Sequence, residues 1–240
     1  MTEWPDPVEV LNPDGASDIV LLCEHASNHI PADYNGLGLT ELDLERHIAW
    51  DPGAAEVTRA LAERLDATAF LGGYSRLLID LNRPLGAVSS IVTRSEATDI
   101  PGNADIAANE VMKRVERIFT PFQDTVTKHL DGRAGRPTRL VAIHSFTPVY
   151  LGVARIWDGG VLFGEAEAFG RTLVEGLRAR GHTVDANVPY ETNRAEDYGV
   201  PVHGDDRGIP AVLIEIRNDH IATPAGVTRW ADDLAAVLAD

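Results

Sequence analysis

Cysteine is almost absent from the sequence, since Cys23 is the single example among 240 residues. One thiol excludes an internal disulfide and any zinc site built from several cysteines. Basic residues are also few: 21 Lys and Arg stand against 37 Asp and Glu, which gives a formal net charge of −16. Such a surface repels phosphate groups, so nucleic acid and anionic membranes are not expected partners. An anionic substrate would need a local arginine or a metal ion.

Long hydrophobic runs and leader-like segments are missing as well. No apolar stretch approaches the length that crosses a bilayer, and the first 18 residues have neither a basic start nor an apolar core. There is no glycine-rich phosphate loop and no GxSxG elbow, which argues against nucleotide binding and serine hydrolysis. We therefore expect a soluble, cytoplasmic protein that acts on a small molecule.

Short apolar runs alternate with longer amphipathic segments along the chain. Four runs indicate buried strands: IVLLC at Ile19–Cys23, LLIDL at 77–81, LVAIH at 140–144 and AVLIEI at 211–216. Four segments indicate helices: 51–65 with Asp51 as N-cap and Pro52 in its first turn, 104–130 kinked or split by Pro121, 165–180 closed by Gly181, and 223–239 capped by Thr223. No linker divides the chain, so we expect one domain over residues 1–240. Its predicted fold is an α/β three-layer αβα sandwich with a mixed, largely parallel sheet, as in phosphorylase- and hydrolase-like proteins.

Polar residues end each predicted strand, where the sites of parallel sheets collect. They are Glu24-His25, Asn82-Arg83, His144-Ser145, and Glu215 followed by Arg217. Two histidines and a carboxylate make a catalytic zinc site, and Glu215 is available to take a proton from water. Arg83 offers a two-pronged donor for a substrate carboxylate. Structural explanations also exist: Asp80 and Asn82 fit a turn before Pro84, and Glu215 with Arg217 fits a surface pair.

Five motifs resemble the N-formylglutamate amidohydrolase family and occur in the expected order. They are CEHASNHIP at 23–31, HIAWDPGA at 47–54, YSRLLIDLNRP at 74–84, IHSF at 143–146 and EIRND at 215–219, and the resemblance spans about residues 21–221. It implies a fold like that of zinc carboxypeptidases and aspartoacylases, with Zn²⁺ as cofactor. The implied reaction is hydrolysis of N-formylglutamate to formate and glutamate, late in histidine degradation.

The resemblance also implies which residues hold the metal. His25 and His144 are the expected ligands, and His144 is counted with the catalytic residues. Asp51 is the preferred third ligand, although a helix N-cap would equally explain an aspartate there. Glu24 is the second choice. Asn28 stands where related deacylases have a glutamate, and this position departs from the carboxypeptidase pattern.

The remaining roles concern catalysis and substrate. Glu215 matches the general base, and Arg83 with Asn82 matches the substrate-carboxylate site of the related deacylases. Arg217 either binds a second carboxylate or pairs with Asp219. Two further residues, Tyr190 and His203, are expected to line the pocket.

Other functions stay open on the sequence alone. The CEH-type first motif differs from the PH-type of the characterised enzyme, so the substrate could be another short N-acyl amino acid. A carboxypeptidase-like or peptidoglycan-type amidase would use the same metal site on a different substrate. A metal-free binding module would require loss of a ligand or of Glu215, and all of these residues are present.

Overall fold

The structure, a computed structural model, describes residues 4–239, which contain eleven strands and six α-helices. The strands are β1 (Val8–Leu11), β2 (Ile19–Cys23), β3 (Thr68–Gly72), β4 (Arg94–Ser95), β5 (Thr98–Asp99), β6 (Arg139–Phe146), β7 (Val149–Tyr150), β8 (Val153–Ala154), β9 (Gly159–Leu162), β10 (Val184–Ala186) and β11 (Ala211–Arg217). The helices are α1 (Glu41–Leu44), α2 (Ala54–Leu65), α3 (Ala108–Arg114), α4 (Thr120–Gly132), α5 (Glu167–Ala179) and α6 (Pro224–Leu238). Residues 1–3, part of the segment in which no leader is expected, lie outside the described residues. Within 4–239, no helix combines the length and the apolar composition needed to cross a membrane.

The central sheet of the described chain has seven strands in the order β1-β3-β2-β6-β11-β9-β10. Four neighbouring strands, β3, β2, β6 and β11, run parallel to one another. β1 pairs antiparallel with β3, β9 pairs antiparallel with β11, and β10 is parallel to β9. The predicted mixed, largely parallel sheet is therefore confirmed, and β2, β6 and β11 lie side by side in its centre.

Helices cover both faces of the sheet, because successive side chains of a strand point to opposite faces. In β2, Ile19, Leu21 and Cys23 belong to one hydrophobic core, whereas Val20 and Leu22 belong to the other. The first core includes residues of α2, α5 and α6, and the second includes residues of α4. Every residue of β2 is buried on both sides, as its unbroken apolar run predicts. The three-layer αβα sandwich is confirmed.

The apolar run LLIDL at 77–81 is not a strand, and the sequence prediction is wrong there. The run is buried, but its carbonyl groups have no strand beside them. Instead they accept hydrogen bonds from the side chains of Asn103, Arg114 and Gln123, at donor–acceptor distances of 2.7–2.9 Å. A continuous apolar run indicates burial, and here polar side chains satisfy the backbone that a sheet would otherwise pair.

The helix predicted from 51 begins later than expected, so the N-cap prediction for Asp51 is wrong. α2 starts at Ala54, its N-cap is Gly53, and no side chain caps it. Gly53 has φ +84°, and a Cβ there would lie 2.7 Å from the carbonyl oxygen of Ile221. Only glycine fits this position without strain. The side chain of Asp51 is consequently free of the helix end.

The long helical segment predicted over 104–130 is divided as its proline suggested. α3 and α4 are joined by a π-helical turn at Val115–Phe119, and Pro121 is in the first turn of α4. The N–H of Thr120 donates to the carbonyl of Val115, five residues earlier. Because proline has no N–H, the regular i to i−4 pattern cannot continue through residue 121.

Candidate metal centre

Three adjacent strands carry the candidate site at their carboxyl ends. β2 ends at Cys23, so Glu24 and His25 are the first residues beyond it. His144 lies in the second half of β6, and Glu215 on β11 is its direct neighbour in the parallel ladder. Because β2 also pairs in parallel with β6, these side chains meet at one edge of the sheet.

His25, Asp51 and His144 form a compact group of buried ligand atoms. One nitrogen or oxygen atom from each residue lies within 4.8 Å of the other two. Nδ1 of His25 is 3.3 Å from Oδ2 of Asp51, and Nδ1 of His144 is 3.0 Å from the same oxygen. The imidazole rings are nearly perpendicular, with an interplanar angle of 89° and centroids 4.7 Å apart. The structure thus brings together the two histidines and the preferred third ligand.

A carboxylate holds the outer nitrogen of each imidazole. Nε2 of His25 is 2.7 Å from Oδ1 of Asp80, and Nε2 of His144 is 3.0 Å from Oε2 of Glu24. Asp80 is itself fixed by Arg76, whose Nη2 is 2.7 Å from Oδ2. A carboxylate behind a histidine is the usual arrangement in protein metal sites, because it sets the tautomer and the direction of the ring. Glu24 therefore contacts a candidate ligand and lies outside the group of three.

With both Nε2 atoms held by carboxylates, three atoms face one another: Nδ1 of His25, Nδ1 of His144 and Oδ2 of Asp51. In the neutral state of the rings all three are acceptors. A carboxylate can only accept, so the neutral ring of His25 or His144 donates its single proton through Nε2. Nδ1 then has a lone pair directed at Oδ2 of Asp51. A second proton on Nδ1 would also satisfy Oδ2 of Asp51: burial opposes charge on His144, but Asp51 and Glu24 outweigh it and raise the pKa of His144 well above its ordinary value. The three acceptors need a shared positive charge, and their nitrogen and oxygen atoms fit a metal ion.

The surrounding charges are mainly negative and suit a metal cation. Four buried carboxylates, those of Glu24, Asp51, Asp80 and Glu215, surround the site, whereas Arg76 is its nearest guanidinium. Burial and the charge of Asp51 raise the pKa of Glu215 to about 7. Within residues 4–239, Oε2 of Glu215 has no hydrogen-bond partner. Glu215 is thus a carboxyl group beside the candidate ligands with an unused oxygen.

The site opens into a cleft of about 500 Å³. Its walls include the three candidate ligands and Glu215, together with residues of β6, of β7 and of the neighbouring loops: His47, Arg76, Asn82, Arg83, Ser145, Phe146, Thr147, Tyr150, Tyr190, Glu191, Asn193, Glu196 and Asp197. A cleft of this size is large enough for a small molecule.

Comparison with known proteins identifies the family. The sequence model of the N-formylglutamate amidohydrolase family matches residues 17–222 of the chain. The chain belongs to this family. The resemblance seen in the five motifs is confirmed, and membership indicates an amidohydrolase.

Solved structures share the fold of the chain. A gene product of Agrobacterium tumefaciens has 37% sequence identity and a TM-score of 0.94, and the match covers 98% of this chain and 94% of that one. N-formylglutamate amidohydrolase from Ralstonia eutropha JMP134 has 17% identity and a TM-score of 0.66, over 97% of this chain and 95% of that one. At that identity the second comparison shows a shared fold. No curated protein matches the chain.

Asn82 and Arg83, the substrate residues suggested by the family motif, both line the cleft. Oδ1 of Asn82 accepts hydrogen bonds from the backbone N–H groups of Tyr198 (3.1 Å) and Gly199 (2.8 Å). Nη1 of Arg83 is 2.7 Å from Oδ1 of Asp197. The loop that carries both residues is therefore fastened to the segment at 197–199.

The other predicted substrate residues of this family member divide between the cleft and its surroundings. Tyr190 lines the cleft. Arg217 lies outside the lining and pairs with Asp219, at 2.8 Å from Nε to Oδ1. His203 is 1% exposed and also lies outside the lining, with its Nε2 2.7 Å from Oε1 of Gln123. Of the two readings of Arg217, the structure shows the pairing with Asp219.

Several site residues were missed from the sequence. Arg76 and Asp80 lie four positions apart in the motif at 74–84, yet the sequence alone indicates no more for Asp80 than a place in a turn before Pro84. The N–H of Ser145 donates to Oδ2 of Asp51 at 3.2 Å and helps to orient it. The sequence does contain a signal for Arg76 and Asp80, because they flank the apolar run Leu77-Leu78-Ile79. Charges in a buried segment are usually paired or bound to a metal.

Replacing Glu24 tests whether its contact with His144 strengthens metal binding. Glu24→Gln keeps an acceptor for Nε2 but removes the negative charge, so we expect the affinity for zinc to fall about 10- to 100-fold. Competition with a chelating dye measures this affinity. Glu63→Gln, on the exposed side of α2, is the control and should bind zinc as the wild type does. Unchanged affinity in Glu24→Gln would show that the carboxylate does not act on the metal through His144.

The buried His203 predicts a loss of stability in mild acid. Burial lowers the pKa of His203 to about 4, whereas an unfolded histidine titrates near 6.5. The folded state resists protonation, so stability falls as pH decreases from about 6.5 towards 4. Between pH 7 and pH 5, His203 should remove about 2 kcal/mol from the free energy of unfolding. Urea unfolding should show a drop smaller by that amount in His203→Gln, and parallel pH profiles would refute the assignment.

Proposed function

We propose that this protein is a zinc-dependent amidohydrolase that cleaves the amide bond of an N-formyl or short N-acyl amino acid. The preferred substrate is N-formylglutamate, which yields formate and glutamate and would place the enzyme late in histidine degradation. The observation that carries this proposal is the convergence of His25, Asp51 and His144 at one buried point, beside the unpartnered carboxyl group of Glu215.

The proposed chemistry combines a metal with a carboxylate. When bound by His25, Asp51 and His144, zinc polarises a carbonyl group and lowers the pKa of water. Glu215 takes the proton from the attacking water and passes it to the departing amide nitrogen. No other group within residues 4–239 occupies its Oε2, so this oxygen is available for the transfer.

Asn82 and Arg83 would bind the carboxylate next to the scissile amide. Among the described residues, the hydrogen bonds of Arg83 all involve Nη1, which leaves Nε and Nη2 for a ligand. The side-chain hydrogen bonds of Asn82 all involve Oδ1, so its Nδ2 is a second donor. Two donors in the cleft wall supply the local attraction that an anionic substrate needs in a chain of net charge −16.

A substrate screen on metal-free and zinc-loaded protein tests the proposal. The panel contains N-formylglutamate, N-acetylglutamate, N-formylmethionine, a carboxypeptidase dipeptide and a muramyl peptide. We expect hydrolysis of N-formylglutamate by the zinc-loaded form, loss with a chelator, and recovery on adding zinc. Turnover of the muramyl peptide alone would favour a peptidoglycan amidase. Equal turnover with and without metal would remove the zinc mechanism.

A further inference from the structure

Gly199 lies between two parts of the candidate site. It is buried and is the first residue of a π-helical turn at Gly199–Gly204. Its backbone N–H donates to Oδ1 of Asn82 at 2.8 Å, and a Cβ at this position would overlap with Oε1 of Glu24. One backbone position therefore borders both an amide of the cleft wall and the carboxylate that holds His144.

The contact with Glu24, and not the backbone conformation, excludes a side chain at Gly199. Its φ lies outside the left-handed region, so the backbone does not itself require glycine. A Cβ would lie 3.3 Å from Oδ1 of Asn82, a contact that a small shift relieves, whereas its overlap with Oε1 of Glu24 is too close for any packed pair of atoms. Because Oε1 is the end of a flexible side chain, the carboxylate of Glu24 would move and the backbone would stay.

Displacement of Glu24 would act directly on a candidate metal ligand. Oε2 of Glu24 is 3.0 Å from Nε2 of His144, and Glu24 is only 2% exposed. Within residues 4–239, no hydrogen bond holds the buried Oε1. A Cβ at residue 199 would therefore push the carboxylate with no hydrogen bond at Oε1 to oppose the movement. The imidazole of His144 would then lose the acceptor that sets its tautomer and its direction.

We propose that Gly199 is a positioning residue of the metal centre, because its missing side chain leaves the space in which the carboxylate of Glu24 reaches Nε2 of His144. Gly199 contributes no ligand atom and acts through Glu24. The inference rests on the proposed function in one respect, since it takes His144 as a zinc ligand. Residues behind a ligand affect metal affinity nearly as strongly as the ligand does, so the expected effect is on zinc binding.

A double-mutant cycle on zinc affinity tests the proposal. In the wild-type background, Gly199→Ala should lower the affinity about 10- to 100-fold, as expected when a ligand loses the carboxylate behind it. In a Glu24→Ala background the overlap no longer exists, so the same substitution should lower the affinity no more than about twofold. Gly132→Ala is the control, because a Cβ there meets no atom within 4 Å, and it should bind zinc as the wild type does. Equal losses in both backgrounds, or no loss in the wild-type background, would overturn the inference.

Crystal structures of the zinc-free proteins separate the inference from the proposed function. Wild-type protein should keep Oε2 of Glu24 within hydrogen-bonding distance of Nε2 of His144, whereas in Gly199→Ala the two atoms should be farther than about 3.6 Å apart. This displacement, in a protein whose wild type binds no zinc, would contradict the proposed function and support the inference. An undisplaced carboxylate would overturn the inference alone. If Gly199→Ala did not fold, folding of the double variant with Glu24→Ala would support the inference, and failure of both would overturn it.

Discussion

Glu215→Gln is expected to reduce kcat by about 10³- to 10⁴-fold and to leave the zinc content of the protein unchanged. Glutamine has nearly the shape of glutamate but cannot take a proton from water. Oε2 of Glu215 has no partner within residues 4–239, so the substitution breaks no hydrogen bond of that oxygen. Turnover of the best substrate, together with metal analysis of the same preparation, measures both quantities.

Glu191→Gln is the matched control for this prediction. Glu191 also lines the cleft, but it is exposed and has no part in the group around the candidate ligands. Its replacement should leave kcat within about threefold of the wild-type value. Near-normal turnover in Glu215→Gln would show that another group moves the proton. A metal-free Glu215→Gln protein would show that the carboxylate holds the ion and does not act as a base.

His144→Ala should lower the affinity for zinc by at least about 100-fold and abolish turnover at ordinary zinc concentrations. The substitution removes Nδ1, which is 3.0 Å from Oδ2 of Asp51, and leaves Glu24 without its partner at Nε2. Replacing a carboxylate behind a ligand already costs about 10- to 100-fold, so loss of the ligand itself should cost more. Equilibrium dialysis with inductively coupled plasma analysis gives the stoichiometry and the affinity.

His29→Ala provides the comparison for the histidine variant. His29 lies four residues after His25, and on a helix the two would form a metal-binding pair. In the structure His29 is exposed and its ring lies 5.5 Å from that of Tyr74, away from the group of three. His29→Ala should keep one zinc ion per chain. If His29→Ala lost the metal and His144→Ala kept it, the assignment of ligands would be wrong.

The central strands were predictable because each is buried on both faces. β2, β6 and β11 contain continuous apolar runs, and the structure shows a strand at each run. β1, β3, β9 and β10 were not predicted. β1 and β10 are short strands at the two edges of the sheet, and β9 begins with two glycines, so their sequences lack the apolar signal of a central strand. β3 is buried along its whole length, but its apolar run is only Ala69-Phe70-Leu71 between Thr68 and Gly72 and is too short to stand out.

The residues of the candidate site were predictable from the sequence, but the contacts that join them were less so. An Asp-Pro pair ahead of a helix fits both an N-cap and a ligand, and nothing local distinguishes them for Asp51. The difference arises from the tertiary fold, in which α2 starts at Ala54 and the backbone N–H of Asp51 donates to the carbonyl of His25 at 2.9 Å. Long-range contacts of this kind leave no periodic pattern in the sequence.

The aromatic group around Arg155 also could not be predicted from the sequence. Its rings are those of Phe146, Tyr150 and Tyr190, which are up to 35 positions away from Arg155 along the chain, so no motif contains them all. Their grouping becomes visible only when the hairpin of β7 and β8 is seen beside the cleft. Side chains that loops bring together are harder to predict from the sequence than polar residues at strand ends, because loops follow no fixed spacing.

Diffraction from zinc-loaded crystals, measured at the zinc absorption edge, tests the central claim most directly. We predict one strong anomalous peak per chain, about 2.0–2.2 Å from Nδ1 of His25, Nδ1 of His144 and a carboxylate oxygen of Asp51. A fully loaded protein in which the peak lies elsewhere, or in which either imidazole points away from the ion, would contradict the account.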